Sequence, residues 1–444
     1  FEMLASPRHL LSPHLSITQT PHGSGVLVSE PIDVGDVLVR VPASLCITAS
    51  LARRTNGVRQ LLEQKEAEPH VAIALWLMHA VHTTPSAHAP WLRMLPDSFD
   101  CPLSWSEADL SWLQKSPARQ RADIMRQWAG EEWQRLLASP SHAPTFNTSR
   151  ARFDWALCAV WSRSFQYQCG SDQCEGGGLW RVLAPIADMF NHAGGQPSAR
   201  LEVRAHEGKP ELWHSDAVPA VEDEDPSRWH WRREAVAADE EINGTGEALL
   251  LLARRPLTVG EAVELDYGAR SNAEMLTTHG FAILDNPYEE IALALAPTEE
   301  DELGPIKKQI LHAGNISSPY ALNVGALRSD SDLLVALRIL VATPSELKQY
   351  ATAFKGAPLS AGNELRWRRL LKARVSSMLE YAQQFTDIHH DEMLLRQADA
   401  TDANSAGHAE LSSRQKMAVI TRLSEKRLLR EVLHELDQTR VDVQ

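Results

Sequence analysis

Cysteine is scarce in this chain. Its five cysteines (Cys46, Cys101, Cys158, Cys169 and Cys174) are odd in number and scattered over 444 residues. That argues against a disulfide framework and points to a reducing, intracellular compartment. Cys169 and Cys174 look like half of a zinc site, but no second Cys/His pair completes it. Long apolar runs are missing too, and none reaches the roughly 18 residues that a membrane-crossing helix needs. The longest candidate, Val71 to Val81, carries His79 and reads as a buried helix. Nor is there a basic excess. A formal net charge of -14 argues against general nucleic-acid binding and suits a partner with basic patches. No nucleophile–base–acid arrangement with a recognisable elbow appears, so hydrolysis is poorly supported. His389-His390-Asp391-Glu392 cannot all face one ion from consecutive helical positions, and a solvated face is expected there. No metal is implied.

What is present is ordinary in bulk: 43% hydrophobic and 23% charged residues, enough to bury a real core in two or three domains. The chain opens on Phe1, not methionine, which leaves a removed or omitted targeting segment open. Strand signals come early. Val26-Leu27-Val28 and Val37-Leu38-Val39 are joined through Gly35-Asp36, and the pattern predicts a hairpin. From about 50 to 165 the periodicity is helical, with Ala72, Leu75, Trp76 and His79 on one stripe. Ser104-Trp105-Ser106-Glu107 reads as a capping box, and Trp91 and Pro96 punctuate a loop. Strand character returns at 179–186, 248–253 and 262–265. Residues 215–245, with Glu222 to Asp225, Asp239 to Glu241, Trp229 and Trp231, read as an acidic solvated insertion. After Pro287 helices dominate. Leu371, Val375, Met378, Ala382 and Phe385 form one stripe, Leu429, Val432, Leu433 and Leu436 another, and 396–410 reads as a flexible connection.

The chemistry concentrates in three short segments. Gly23-Ser24-Gly25 lets backbone approach a ligand closely, although it serves equally as a hairpin turn and lacks the third glycine of a dinucleotide fingerprint. Asn191-His192 closes an apolar run that begins at Val182. The pair offers donors and acceptors suited to an adenine edge or an amino-acid-like group, or simply caps a turn. Tyr267 follows a second apolar strand; its phenol can orient an amine or help shed a proton, or be an ordinary half-buried tyrosine. Ser271-Asn272-Ala273-Glu274 and Gly280 bound a short helix behind it, ending at His279.

Taken in order, these motifs resemble the SET-domain methyltransferases, in the branch of the Rubisco large-subunit lysine methyltransferase. The stations run from Gly23-Ser24-Gly25-Val26 through Ile32, Gly35, Leu38 and Val41-Pro42. They continue with Trp91, Leu95-Pro96, Trp105-Ser106-Glu107, Arg163, Phe165, Pro185 to His192, and Gly260-Glu261 to Phe281. The resemblance implies an α+β fold. A β-rich SET pseudoknot of small sheets would occupy 15–290, with a helical insertion at about 50–160. An all-α Rubisco-substrate-binding-like domain would fill 291–444. It implies S-adenosyl-L-methionine as cofactor, bound by the backbone around His22, Gly23, Ser24 and Gly25 and by Arg163, Asn191 and His192. Tyr267 would be the catalytic tyrosine, and Phe165, Ala187, Asp188 and His279 would line the acceptor side. His279 stands where the branch has tyrosine, which bears on how many methyl groups are added.

The expected reaction is in-line methyl transfer to a protein lysine, from a monomer in the cytoplasm or a plastid, with no nucleic acid or membrane partner. Alignment within about 3–3.5 Å would supply most of the rate, and burial would help a lysine shed its proton. A related branch methylates histidine in actin, with a polar residue where this chain has Phe165 and a bulky aromatic where it has Ala187. Both positions here favour lysine; histidine is the alternative acceptor. A non-catalytic binding module is the alternative of another class.

Overall fold

The structure is a computed structural model, and it describes residues 10–20, 23–63, 65–81, 88–138, 149–169, 178–204, 210–211, 248–328, 331–404 and 411–438. The acidic segment 215–245 and Cys174 therefore lie outside the described residues. By packing, the chain divides into two units: Phe1–Ser104 with Arg126–Ala269, and Trp105–Met125 with Arg270–Gln444. The division hands 105–125, from the middle of the expected insertion, to the second unit.

The described residues of the first unit form four small sheets. Strand β1 (Leu15–Thr20) pairs antiparallel with β2 (Gly23–Val28), with Thr20 opposite Gly23. The expected hairpin between residues 26–28 and 37–41 does not form. Instead β3 (Val37–Pro42) joins the edge of a sheet whose order is β3, β10 (Ala248–Ala253), β8 (Ala199–Arg204) and β9 (Pro210–Glu211). The reason lies in β10. β10 is a central strand, its backbone paired by β8 on one edge and by β3 on the other, and all six of its residues are buried. A third sheet orders β4 (Ile47–Thr48), β6 (Gly178–Leu183) and β5 (Ser164–Cys169), and the fourth pairs β7 (Asn191–His192) with β11 (Glu264–Leu265). The helix Pro69–Ala80 carries proline at its first turn, where no N–H is missed, and is buried on every side from Val71 to Met78. It packs on the helix Arg150–Arg163, whose carboxyl end feeds β5.

Among the described residues the second unit carries one hairpin, β12 (Ile291–Leu293) with β13 (Tyr320–Leu322), beside its helices. Its core gathers Ile291, Leu311, Leu337, Trp367, Leu371, Val375, Leu429 and Val432. Each fully buried aliphatic is worth about 1.5–3 kcal/mol relative to exposure. Both expected stripes face it, except that Ala382, although buried, is not part of this cluster, and Phe385 falls beyond the end of helix Ala361–Ala382 and is exposed. Three other expectations shift. Ser106, not Ser104, caps its helix, accepting from the N–H of Asp109. The connection expected at 396–410 is helical to Asn404. In the His389–Glu392 run both histidines are exposed, yet Asp391 is fully buried.

Behind the short helix Asn272–His279, which ends at Gly280 in the left-handed region (φ 81°), Asn272 is wholly buried. Its amide bridges the Ile283 backbone and donates to Ser424 Oγ (3.1 Å), while its backbone N–H donates to the Glu289 carboxylate (3.3 Å). Burial pushes Glu289 up to about 7 and raises Glu425 in the same direction. A carboxyl whose folded pKa exceeds its unfolded value stabilises fully below the latter. It loses that stabilisation as pH climbs to the former. Glu289→Gln is therefore expected to gain on the parent between pH 4.5 and 7, by roughly 1–3 kcal/mol at the upper end. Denaturation midpoints of both proteins across that range check this; a constant difference refutes it.

Candidate active site

The apolar strand before Asn191-His192 does not run into that pair. β6 stops at Leu183, and Ile186 takes φ 73°, ψ -42°, a region that a β-branched residue seldom occupies. Such backbone stores on the order of 1–3 kcal/mol, which the wholly buried surroundings of Ala184–Phe190 must supply. A 3-10 turn, Ala187–Met189, follows, and β7 then lies parallel to β11, with Asn191 opposite Glu264 and His192 opposite Leu265.

That register sets Tyr267 against His192. The Tyr267 backbone N–H donates to His192 Nδ1 (3.1 Å), so the neutral imidazole carries its proton on Nε2. The rings lie 5.1 Å apart, and the Tyr267 hydroxyl donates to the Phe190 carbonyl oxygen (2.8 Å). Burial pushes the phenol above its ordinary range, so it stays protonated at neutral pH.

The early glycine turn reaches the same place. Asn191 Nδ2 donates to the Ser24 carbonyl oxygen (3.3 Å), and the Val263 N–H donates to the Val26 carbonyl (2.9 Å). Gly25 is buried. Gly23 is exposed at φ 100°, and no described atom lies within 4 Å of the point where a Cβ would stand. Only glycine adopts that backbone without strain, and the open space leaves the chain approachable.

Arg163 is the last residue of the helix Arg150–Arg163. Its Nη1 donates to the Asp188 carbonyl oxygen and to Asp188 Oδ2 (3.1 Å each), and the guanidinium sits 5.7 Å from the Phe99 ring centroid. Its Nε is buried with no hydrogen-bond partner among the described residues. Asp188 has no exposed side-chain surface, and its carboxylate also accepts from the Trp91 indole N–H (3.0 and 3.1 Å). Burial raises the Asp188 carboxyl despite the pull of Arg163 and Trp91.

Ser24, Gly25, Arg163, Asp188, Asn191, His192 and Tyr267 thus form one connected set. Ala187 is buried beside Asp188, and Phe165 is half-buried on β5 opposite Val182. His22 lies outside the described residues. His279 belongs to the second unit, where Nδ1 meets Thr278 Oγ1 (2.7 Å). Sequence reasoning missed three participants. Trp91, Ile186 and Phe190 stood among the motif stations, but no site role was read for the Trp91 indole, the Ile186 backbone or the Phe190 carbonyl. Among the described residues no cluster of His, Cys, Asp and Glu could hold a metal ion.

Comparison with known proteins agrees with this architecture. Residues 298–429 match the family model of the Rubisco LSMT substrate-binding domain. The chain is similar in structure to the crystal structure of the SET domain of LSMT bound to lysine and AdoHcy. The TM-score is 0.71 at 19% identity, over 98% of this chain and 90% of that one. Rubisco LSMT bound to AdoMet gives 0.70 at 19% identity with the same coverage. The fold is therefore that of the SET domain, as the motif order implied. In sequence the chain is similar to the actin-histidine N-methyltransferases of Callithrix jacchus and Homo sapiens, each 24% identical over 437 residues and 93% of this chain. The chain spans 63% of the length of these curated relatives.

Proposed function

We propose that this chain, which joins the SET fold to a Rubisco LSMT substrate-binding domain, is an S-adenosylmethionine-dependent protein methyltransferase whose acceptor is histidine. The observation that carries the acceptor is the similarity to actin-histidine N-methyltransferases along 437 residues, against which Phe165 and Ala187 are two positions. The lysine expectation accordingly becomes the second reading. It keeps the support of those two positions and of the LSMT structure bound to lysine.

The site residues fit an amino-acid-like sulfonium ligand. The orphaned Arg163 Nε suits a carboxylate, the Asn191 amide oxygen suits an ammonium, and the open backbone at Gly23 to Gly25 admits close approach. When bound, the cofactor supplies an electrophilic methyl group on sulfur. His192, its Nδ1 engaged by the Tyr267 backbone, holds the Tyr267 loop against β7. The Tyr267 hydroxyl gives its hydrogen to the Phe190 carbonyl, so the phenolic oxygen acts as an acceptor. It would take the N–H of a neutral imidazole and leave the other ring nitrogen's lone pair in line for the methyl. Held protonated, Tyr267 does not serve as a base. That suits histidine, which with a pKa of about 6.5 arrives mostly neutral at pH 7.5, whereas a lysine near 10.4 arrives about 0.1% neutral. Asp188, turned inward onto Arg163 and Trp91, would act on Arg163 instead of facing the acceptor.

The match over 298–429 supports a protein as substrate. The curated relatives named above are animal proteins, which lends the plastid no support. No helix among the described residues is long and apolar enough to cross a membrane.

The test is incubation of the purified protein with isotopically labelled S-adenosylmethionine and cell extract, then mass spectrometry of the modified residue. Methyl-histidine is expected, formed at a rate that levels off above about pH 7 as the free imidazole does. Methyl-lysine alone, with a rate still rising at pH 9, restores the second reading. No transfer at all leaves a binding module.

A further inference from the structure

The Trp91 indole N–H is a buried donor that meets the carboxylate of Asp188, the same carboxylate that holds Arg163. Trp91 is 3% exposed, on the short helix Ala89–Leu92, and sits 97 residues from its partner in sequence. Its N–H lies 3.0 Å from Asp188 Oδ1 and 3.1 Å from Oδ2, so it is shared across the carboxylate. Arg163 Nη1 takes the Oδ2 edge and the Asp188 carbonyl at 3.1 Å each. The carboxylate is thereby clamped from two sides with no exposed surface, and the guanidinium can rotate only by breaking one of its contacts. The direction in which Arg163 Nε points follows from that clamp.

We propose that Trp91 is a positioning residue for the cofactor: by fixing the rotation and charge of buried Asp188, it holds Arg163 with Nε turned to a ligand carboxylate. This rests on the methyltransferase reading above. The chemistry behind it is unequal. A phenylalanine would fill most of the indole's volume yet offer no donor, and a buried carboxylate that loses a donor takes up a proton more readily. The charged and titratable groups acting on Asp188 are Arg163 and, through its phenol, Tyr267. A guanidinium does not titrate in the working range and burial keeps the Tyr267 phenol neutral, so a new acid limb in binding would belong to Asp188. A lost charge-assisted hydrogen bond moves a carboxyl by about one to two pKa units.

The experiment is calorimetric titration with S-adenosylhomocysteine at pH 6.0 and 8.5 on four proteins: the parent, Trp91→Phe, Asp188→Asn and the double variant. Trp91→Phe is expected to bind within about threefold of the parent at pH 8.5 and about tenfold more weakly at pH 6.0. The pH-dependent part should vanish in the Asp188→Asn background. An equal loss at both pH values, no loss, or a pH dependence that survives in the double variant overturns the proposal, since a packing role would behave in one of those ways. If Trp91→Phe does not fold, β-(3-benzothienyl)alanine at position 91 keeps the indole shape without the N–H and is read identically. A parent protein that fails to bind S-adenosylhomocysteine sinks the cofactor reading itself, whereas a parent that binds and a variant that matches it sinks only the role of Trp91.

Discussion

Tyr267→Phe is expected to lower kcat by about 10²- to 10³-fold while S-adenosylhomocysteine binds within about threefold of the parent. The size follows from what the oxygen does. An oriented polar contact made where charge develops is worth on the order of 3–4 kcal/mol in a buried site. Every ring contact with His192 survives the substitution, as does the backbone N–H to Nδ1. What is lost is the phenolic oxygen, together with the hydrogen bond to the Phe190 carbonyl. That second loss leaves a buried acceptor unmatched and costs about 1–3 kcal/mol of stability. Stability must therefore be measured beside turnover. Initial rates on the histidine-bearing substrate, calorimetry and a denaturation curve separate the three quantities. Should affinity and turnover fall together by the same factor, Tyr267 would be holding the site's shape, and the assignment of its oxygen to the acceptor would fail.

The residues that make up this site were legible in sequence where the signal is local. Asn191-His192 and Tyr267 are read from strand ends and turn chemistry within ten residues, and β7 and β11 bring them together through two paired positions. The helix ending at Gly280 was legible for the same reason, because caps are written in adjacent letters. The contacts that couple distant segments were not. Nothing in Trp91 forecasts a carboxylate at position 188, and nothing in Val37–Pro42 says that its partner is Ala248–Ala253 and not the strand just before it. Periodicity reports which face of an element is buried. It does not report which neighbour covers that face. The acceptor shows a different limit. Phe165 and Ala187 argued for lysine from two side chains, while similarity along the chain favours histidine, and the shape of a pocket is set by more positions than two.

Asp391 illustrates the same limit and gives the largest expected change in stability. Its oxygens collect Arg422 Nε (3.0 Å) and Nη2 (2.7 Å) on one side and Lys426 Nζ (2.7 Å) on the other, and all three side chains are at most 2% exposed. Arg422 also donates to the Trp112 carbonyl, and Lys426 to that of Thr386. Asp391→Ala strands two cations in the core of the second unit, and breaking a buried pair in this way costs about 3–5 kcal/mol. The deficit should depend on pH with a definite sign. Burial already draws the Lys426 ammonium below its usual range, with Asp391 pulling the other way. Removing that carboxylate lowers it further. A lysine whose folded pKa lies below its unfolded value destabilises fully below the folded value, and that penalty falls away as pH rises from there to the unfolded value. The deficit of Asp391→Ala should thus shrink between pH 7 and 10 without closing, because a guanidinium does not titrate in that range. Urea midpoints for parent and variant at three pH values decide this. A deficit below about 1 kcal/mol, or one that grows with pH, would mean that water reaches the pair and that Asp391 is not the group holding these helices together.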